Sequence, residues 1–246
     1  MKVLIIGATS AVAQHFAQLR TQQGDQVYLI ARSQDKLQQV AQSLGESVLG
    51  SESFNFTETQ HAQSAIEKAH QALGQIDVVL FAHGLLAKQA QTETDLEAMV
   101  QTFSVNLVSV IALLNPLHRI LQSQAGPAKI AVITSVAGDR GRPRNFCYGA
   151  AKGGLGLYLE GLRSKYINSG IEIYNIKLGP TDTPMTVDHE KNGTFITPDK
   201  AATLINQGIQ RRGYTVYVPG FWRWIMLVVK LMPEWLFQRL KFLSAP

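Results

Sequence analysis

Met1-Lys2-Val3-Leu4-Ile5-Ile6-Gly7-Ala8-Thr9-Ser10-Ala11-Val12-Ala13 opens the chain. Its apolar run, Lys2–Ile6, reads as a strand, breaks straight into a glycine turn and gives way to a helical stretch at Val12. The run is too short for a signal peptide or a membrane span. The same alternation continues downstream. Strand-like runs lie at Gln26–Ala31, residues 76–81, 129–134 and 172–178, with weaker candidates at residues 47–54 and Thr215–Val218. Helical stretches fall between them at residues 12–23, Gln34–Leu44, 59–73, 96–121, 148–168 and 199–211. Gly24, Gly45, Gly74 and Gly170 follow helices, where a left-handed residue closes the last turn. Thr57 and Gln60 have the spacing of a capping box. Apolar strands alternating with helices predict an α/β fold, a parallel sheet with helices on both faces. Such sheets bind ligands at the carboxyl ends of their strands, near the switch point.

The 246 residues suffice for one α/β domain, and 46% hydrophobic against 17% charged residues exclude a disordered chain. Cys147 is the one cysteine, so no internal disulfide can form, which fits a reducing, cytoplasmic compartment. A net charge of +5 is modest and no base-reading motif appears, so nucleic-acid binding is not supported. No metal site is expected. Residues 1–220 read as one unit without an interior boundary, and 221–246 as an amphipathic tail.

The chemistry-bearing pattern is Ser135, then Tyr148 thirteen residues later, then Lys152 four residues on. Tyr148 and Lys152 share one helix face. An ammonium beside a phenol favours the phenolate, so Tyr148 is expected to titrate below its usual range and move protons near neutral pH. A serine hydroxyl from a nearby strand end would hold the oxygen being protonated. The opening turn would present Gly7, Thr9, Ser10, Ala11 and Val12 to a dinucleotide pyrophosphate at a helix N-terminus. With one glycine only, a tight turn packing helix on strand explains it equally well. The second strand ends in Arg32-Ser33. In a dinucleotide fold this end faces the adenosine ribose, where an arginine accommodates a 2′-phosphate, so NADP(H) is the expected cofactor.

In order and spacing these elements resemble the short-chain dehydrogenases/reductases over about residues 1–220. Gly7 begins the cofactor turn, Gly84 ends the segment after the fourth strand, and Asn106, Ser135, Tyr148, Lys152 and Gly179-Pro180-Thr181-Asp182-Thr183 follow in family order. The resemblance implies a Rossmann-type doubly wound sheet of about seven strands and hydride transfer to or from a nicotinamide. Tyr148 would be the general acid or base, Lys152 its pKa modulator and ribose contact, and Ser135 the carbonyl positioner. Asn106 would hold a relay water and Thr183 would contact the carboxamide. Asn55 would lie near the adenine, and Ala82, His83, Gly84, Pro180 and Thr181 would flank the cofactor. The chain departs from the family at Ala11 and Ala13, which replace glycines, at Phe81-Ala82-His83-Gly84, and at the inverted Gly179-Pro180. His83 reads as a cofactor-wall residue or a proton shuttle, and Cys147 as packing. The resemblance also implies a homodimer or homotetramer through the helices carrying Asn106 and Tyr148.

Two stretches bear on the substrate. Arg140, Arg142 and Arg144 form a candidate clamp for a phosphate or carboxylate, or else a solvated loop partly paired by Asp139. In the tail, Trp222, Trp224 and Trp235 accompany Arg223, Lys230, Arg239 and Lys241 against Glu234, and Pro233 should split the helix. This pattern describes either a helix lying in a membrane interface, which would put the protein on the inner face of the membrane, or aromatics packed on the body, a subunit or a lid. Tail and loop are similar to bacterial reductases of keto sugars on polyprenyl-phosphate lipids. The alternatives are a 3-oxoacyl thioester reductase and a non-catalytic NADP-sensing protein.

Overall fold

The computed structural model describes residues 1–188, 190–211 and 213–240. Seven strands pair in parallel: β1 (Lys2–Ile6), β2 (Gln26–Ala31), β3 (Val48–Ser53), β4 (Val78–Phe81), β5 (Ala128–Ser135), β6 (Ile171–Leu178) and β7 (Thr215–Val218). Their order is β3-β2-β1-β4-β5-β6-β7, the expected doubly wound arrangement. β1 shows why an unbroken apolar run builds such a sheet. Successive side chains point to opposite faces. Val3 and Ile5 enter the core beneath α1 (Ala11–Gln22), α2 (Gln34–Leu44) and α8 (Pro198–Gly208), while Leu4 and Ile6 enter the core beneath α3 (Ala62–Leu73), α6 (Ser109–Ser123) and α7 (Phe146–Lys165). Each such side chain, fully buried, contributes roughly 1.5–3 kcal/mol of transfer free energy.

Some boundaries differ from the expectation. The capping box at Thr57 does not form. Asn55 Oδ1 accepts from the Thr57 N–H (3.2 Å) and hydroxyl (2.9 Å), so that side chain is spent in a local turn, and α3 starts only at Ala62. The stretch 96–121 is α5 (Leu96–Phe103), a π turn over Ser104–Val108, and α6. Asp95 caps α5 by accepting from the Glu97 and Ala98 N–H groups, and a short unforeseen helix, α4 (Gln89–Thr94), precedes it. The run Leu96–Ser123 is long and apolar enough to cross a membrane, yet Val110, Leu113, Leu114 and Leu117 spend that apolarity on the core. The four helix-closing glycines all take positive φ, between 63° and 83°.

The tail divides at Pro233 as expected, into α9 (Trp222–Leu231) and α10 (Glu234–Phe237). Trp222, Met226, Val229 and Phe237 pack on Val136, so one face of the tail belongs to the body. Lys241 lies outside the described residues.

The switch point falls between β1 and β4, and there the two following loops touch. Gly7 has φ 85°, and a Cβ on it would stand 2.3 Å from the His83 backbone nitrogen. Ala82 N–H donates to Ile6 O at 2.7 Å and Gly7 N–H to Ile30 O at 2.7 Å. Gly24 has nearly the same φ, 83°, with nothing within 4 Å of its would-be Cβ. Gly24→Ala should therefore cost about 1–2 kcal/mol of strain alone, and Gly7→Ala about 2–5 kcal/mol because the backbone must also move. Urea unfolding of the two variants measures the difference.

Candidate active site

A cavity of about 770 Å³ runs along the carboxyl ends of the strands across the switch point. At one end lies the first turn of α1. Gly7, Thr9, Ser10, Ala11 and Val12 line it, and Ser10, although at the cap position, makes no capping bond with its side chain. Free N–H groups and an uncommitted hydroxyl at a helix N-terminus suit an anion. Arg32 lines the same end, joined by Lys36, one turn into α2. Sequence reasoning missed Lys36, because Arg32 lies before the Ser33 cap and helical spacing does not relate the two. Ser33 is not in the cavity wall; it occupies the cap position of α2. Asn55 lines the wall with Phe56, another residue not foreseen.

His83 is buried and stacked on Phe56 at 4.0 Å. The Ser109 hydroxyl donates to Val105 O at 2.9 Å, so His83 Nε2, 2.9 Å from that hydroxyl, is the donor toward it. Burial first, then the Lys152 charge, pushes the imidazole down to about 3. His83 thus stays neutral at the cavity wall, its Nε2 committed to Ser109.

At the other end Ser135, Tyr148 and Lys152 line the wall together. Glycines make this possible. A Cβ on Gly138 would lie 2.7 Å from Gly153 N, and one on Gly149 2.8 Å from Ala137 O, so the turn after β5 rests directly on the α7 backbone. Ser135 Oγ accepts from Ala137 N–H at 3.1 Å. Lys152 is buried, and its Nζ donates to Ile133 O at 3.1 Å, 6.0 Å from the Tyr148 ring centre. The expected depression of the Tyr148 pKa is overturned. Burial pushes the phenol up to about 12, offset only in part by hydrogen bonding with Ser135. Burial also takes Lys152 down to about 8, which still leaves it largely an ammonium at neutral pH.

Asn106, fully buried, is not in the cavity wall. Its Nδ2 donates to Leu85 O (2.7 Å) and Thr102 O (2.9 Å), and its Oδ1 accepts from Leu85 N–H (3.1 Å). The side chain expected to hold a relay water is committed to pinning the loop after β4. It stands in the π turn, where Ser109 N–H reaches back five residues to Ser104 O; such widened turns recur at functional sites. Ala82, Gly84, Pro180, Thr181 and Thr183 all line the cavity. The Thr181 hydroxyl is spent on Gly179 O at 3.1 Å. The inverted Gly179-Pro180 has a cause: a Cβ at 179 would meet Trp222 Nε1 at 2.2 Å, so the indole of α9 packs where only glycine fits. Cys147 is buried, as expected of a packing residue.

The three arginines separate. Arg142 and Arg144 line the cavity, Arg142 also donating from Nη2 to Met226 Sδ of α9 at 3.2 Å, whereas Arg140 points wholly into the tail. Its Nη1 donates to Val229 O and to Met232 O (2.6 Å), the open C-terminal carbonyls of α9, and the guanidinium lies 4.1 Å over the Phe237 ring. Arg140 is therefore a staple and not part of a clamp. Asp139 does not simply pair with the loop arginines either; it holds Lys177 in an ion pair and accepts from the Tyr217 hydroxyl at 2.8 Å.

The profile described as short chain dehydrogenase matches residues 1–193. The chain belongs to the short chain dehydrogenase family. This short chain dehydrogenase is 30% identical over 243 residues to an uncharacterized oxidoreductase from the mprA 5′ region of Streptomyces coelicolor, covering 97% of this chain and 95% of that one. An uncharacterized oxidoreductase of Mycobacterium tuberculosis is 26% identical, with 97% and 96% covered. Among solved structures, a short chain dehydrogenase from Burkholderia cenocepacia in complex with NADP superposes with a TM-score of 0.84 at 18% identity, over 97% and 96% of the two chains. A 3-ketoacyl-(acyl-carrier-protein) reductase from Brucella melitensis complexed with NADH gives 0.79 at 20% identity, over 88% and 96%. At these identities the structures speak for the fold.

Two outcomes check the geometry. Between pH about 8 and the ordinary lysine value of 10.5, the unfolded chain carries a proton at Lys152 that the folded chain lacks, so this site makes stability rise with pH there. Lys152→Met should lessen that rise, by up to one proton's worth of slope, in urea unfolding between about pH 7 and pH 10. Arg140→Ala should cost about 1–3 kcal/mol in the same measurement, through its lost charge-assisted bonds, and leave the KM for a carbonyl substrate unchanged.

Proposed function

We propose that this short chain dehydrogenase interconverts a ketone and a secondary alcohol with NADP(H), Tyr148 carrying the proton. One observation carries the reading: Ser135, Tyr148 and Lys152 stand together in a cavity that also holds an open helix N-terminus with Arg32 and Lys36 beside it. The α1 turn would take the pyrophosphate, and Arg32 with Lys36 a 2′-phosphate. The NADP in the Burkholderia neighbour lends fold-level support. When bound, the nicotinamide supplies or accepts the hydride.

The residues of the chain handle the proton and the position. With its pKa pushed up to about 12, Tyr148 is protonated at neutral pH and would hand that proton to a carbonyl oxygen as hydride arrives, taking it back in the reverse reaction. The Ser135 hydroxyl holds that oxygen. The Lys152 ammonium stabilises the phenolate left once the proton has gone. Asn106 is a positioning residue that fixes the Leu85 loop. A non-catalytic sensor would have no use for a buried lysine held against its preference for charge.

Arg142 and Arg144, with Arg140 withdrawn, favour a carbonyl substrate bearing an anionic group, such as a phosphorylated or lipid-linked keto sugar. The second reading, a 3-oxoacyl thioester on an acidic carrier, uses the same cations and takes its cue from the 3-ketoacyl-(acyl-carrier-protein) reductase of Brucella, which shares the fold. A homodimer or homotetramer would form through α5–α7, where Leu96, Val108 and Leu157 are exposed.

The deciding measurement is NADPH oxidation across ketones with and without phosphate and acyl-thioester groups. Tyr148→Phe should lower kcat by about 10²–10⁴ and leave NADPH binding, read by fluorescence, intact. A fully active variant overturns the role of Tyr148.

A further inference from the structure

Outside the cavity, the most unusual surface is the outer side of the tail. At about 100° per residue, Trp222, Met226 and Val229 fall on one narrow arc of α9, and that arc packs on the body. The opposite arc carries Trp224, Leu227, Val228 and Leu231, at the spacing of i, i+3, i+4 and i+7. An ordinary surface helix is polar there. Here Trp224 is 66% exposed, Val228 61% and Leu231 75%, and Trp235 on α10 adds 61%. A helix apolar on both arcs belongs in a core or against lipid, and this one has the protein on one side only.

The charges select the occupant. Among the described residues the tail carries Arg223, Lys230 and Arg239 against Glu234 alone. The Arg223 guanidinium lies 5.8 Å from the Trp224 ring centre, and that of Arg239 5.9 Å from Trp235. Tryptophan with a basic neighbour is the residue pair of the headgroup layer. A second copy fits less well, because a two-fold contact across this stripe would set the cations against their own equivalents. An anionic surface complements them, and the whole chain, at +5, has the matching sign.

We infer that the outer stripe of α9–α10, Trp224, Leu227, Val228, Leu231 and Trp235 edged by Arg223, Lys230 and Arg239, docks this protein on an anionic lipid bilayer. Docking leaves the fold unchanged, since the opposite arc of α9 and Phe237 of α10 stay seated on the body, and Arg140 ties both helices to the loop before Tyr148. The inference goes beyond the proposed reaction and does not depend on it.

The test is co-sedimentation of the full chain with vesicles of equal parts phosphatidylcholine and phosphatidylglycerol. The wild-type protein should sediment with them, less so with phosphatidylcholine alone and less so at raised salt. A variant with Trp224→Gln, Leu231→Gln and Trp235→Gln should bind at least about tenfold more weakly, with its unfolding midpoint unchanged because these side chains are exposed. Arg223→Gln and Lys230→Gln should each weaken binding by about fivefold. Wild-type protein that stays in the supernatant overturns the inference, as does a triple variant that binds equally well. A triple variant whose mass in analytical ultracentrifugation falls to that of a smaller oligomer also overturns it, because the stripe is then a subunit contact. NADPH oxidation with a soluble ketone, measured on the same triple variant, stays at the wild-type rate and keeps this result separate from the proposed chemistry.

Discussion

The turn after β5 lies on α7 with no side chain between them. Gly138 meets Gly153, and Gly149 meets the Ala137 carbonyl, at separations that would put a Cβ within 3 Å of backbone atoms. Backbone on backbone leaves no room for a side chain, so any residue larger than glycine at these positions would push the turn off the helix. Everything chemical in the molecule hangs on that placement. One residue upstream of the turn, Ser135 reaches Tyr148, and Lys152 lies on the same helix face. Within the turn, Asp139 holds Lys177 and Tyr217, joining β5 to β6 and β7. Just beyond it, Arg140 grips the tail.

Lys152 and His83 are buried beside the cavity, Tyr148 partly so, and loss of solvent sets their protonation states. Burial disfavours the charged form of either sign, so it raises the phenol of Tyr148 and lowers the ammonium of Lys152. His83 obeys the same rule, and its imidazole is held neutral between Phe56 and Ser109. The outcome is a protonated phenol at Tyr148 beside a lysine whose charge is held less firmly than in water. The tail contributes to the same enclosure, since Trp222 closes on Gly179 at the head of the segment that lines the cavity.

Much of the fold was legible in the chain because its signals are local. Two-faced apolar strands such as Lys2–Ile6 can only be buried on both sides, and glycine at 24, 45, 74 and 170 marks helix ends through its freedom at positive φ. The Ser135, Tyr148 and Lys152 set was legible too, because helical spacing puts two of them on one face and strand-end logic delivers the third. The capping box at Thr57 misled because a competing local acceptor, Asn55, took the hydroxyl first. The π turn left no trace in periodicity, which reads a helix as continuous across one extra residue.

Pattern and spacing along the chain were enough for the sheet, its winding and the candidate set of Ser135, Tyr148 and Lys152, and the order of the motifs for the family. The tertiary structure alone decided what the neighbours of those residues do. Arg140, Arg142 and Arg144 are alike in sequence, but the position of α9, nearly ninety residues away, turns the first into a staple and gives Arg142 a Met226 contact at the cavity wall, while Arg144 lines that wall. Lys152 promised a depressed phenol at four-residue spacing, but the depth of burial reversed the sign. Desolvation and distant contacts depend on what the rest of the chain brings alongside, and no local window of sequence contains that information.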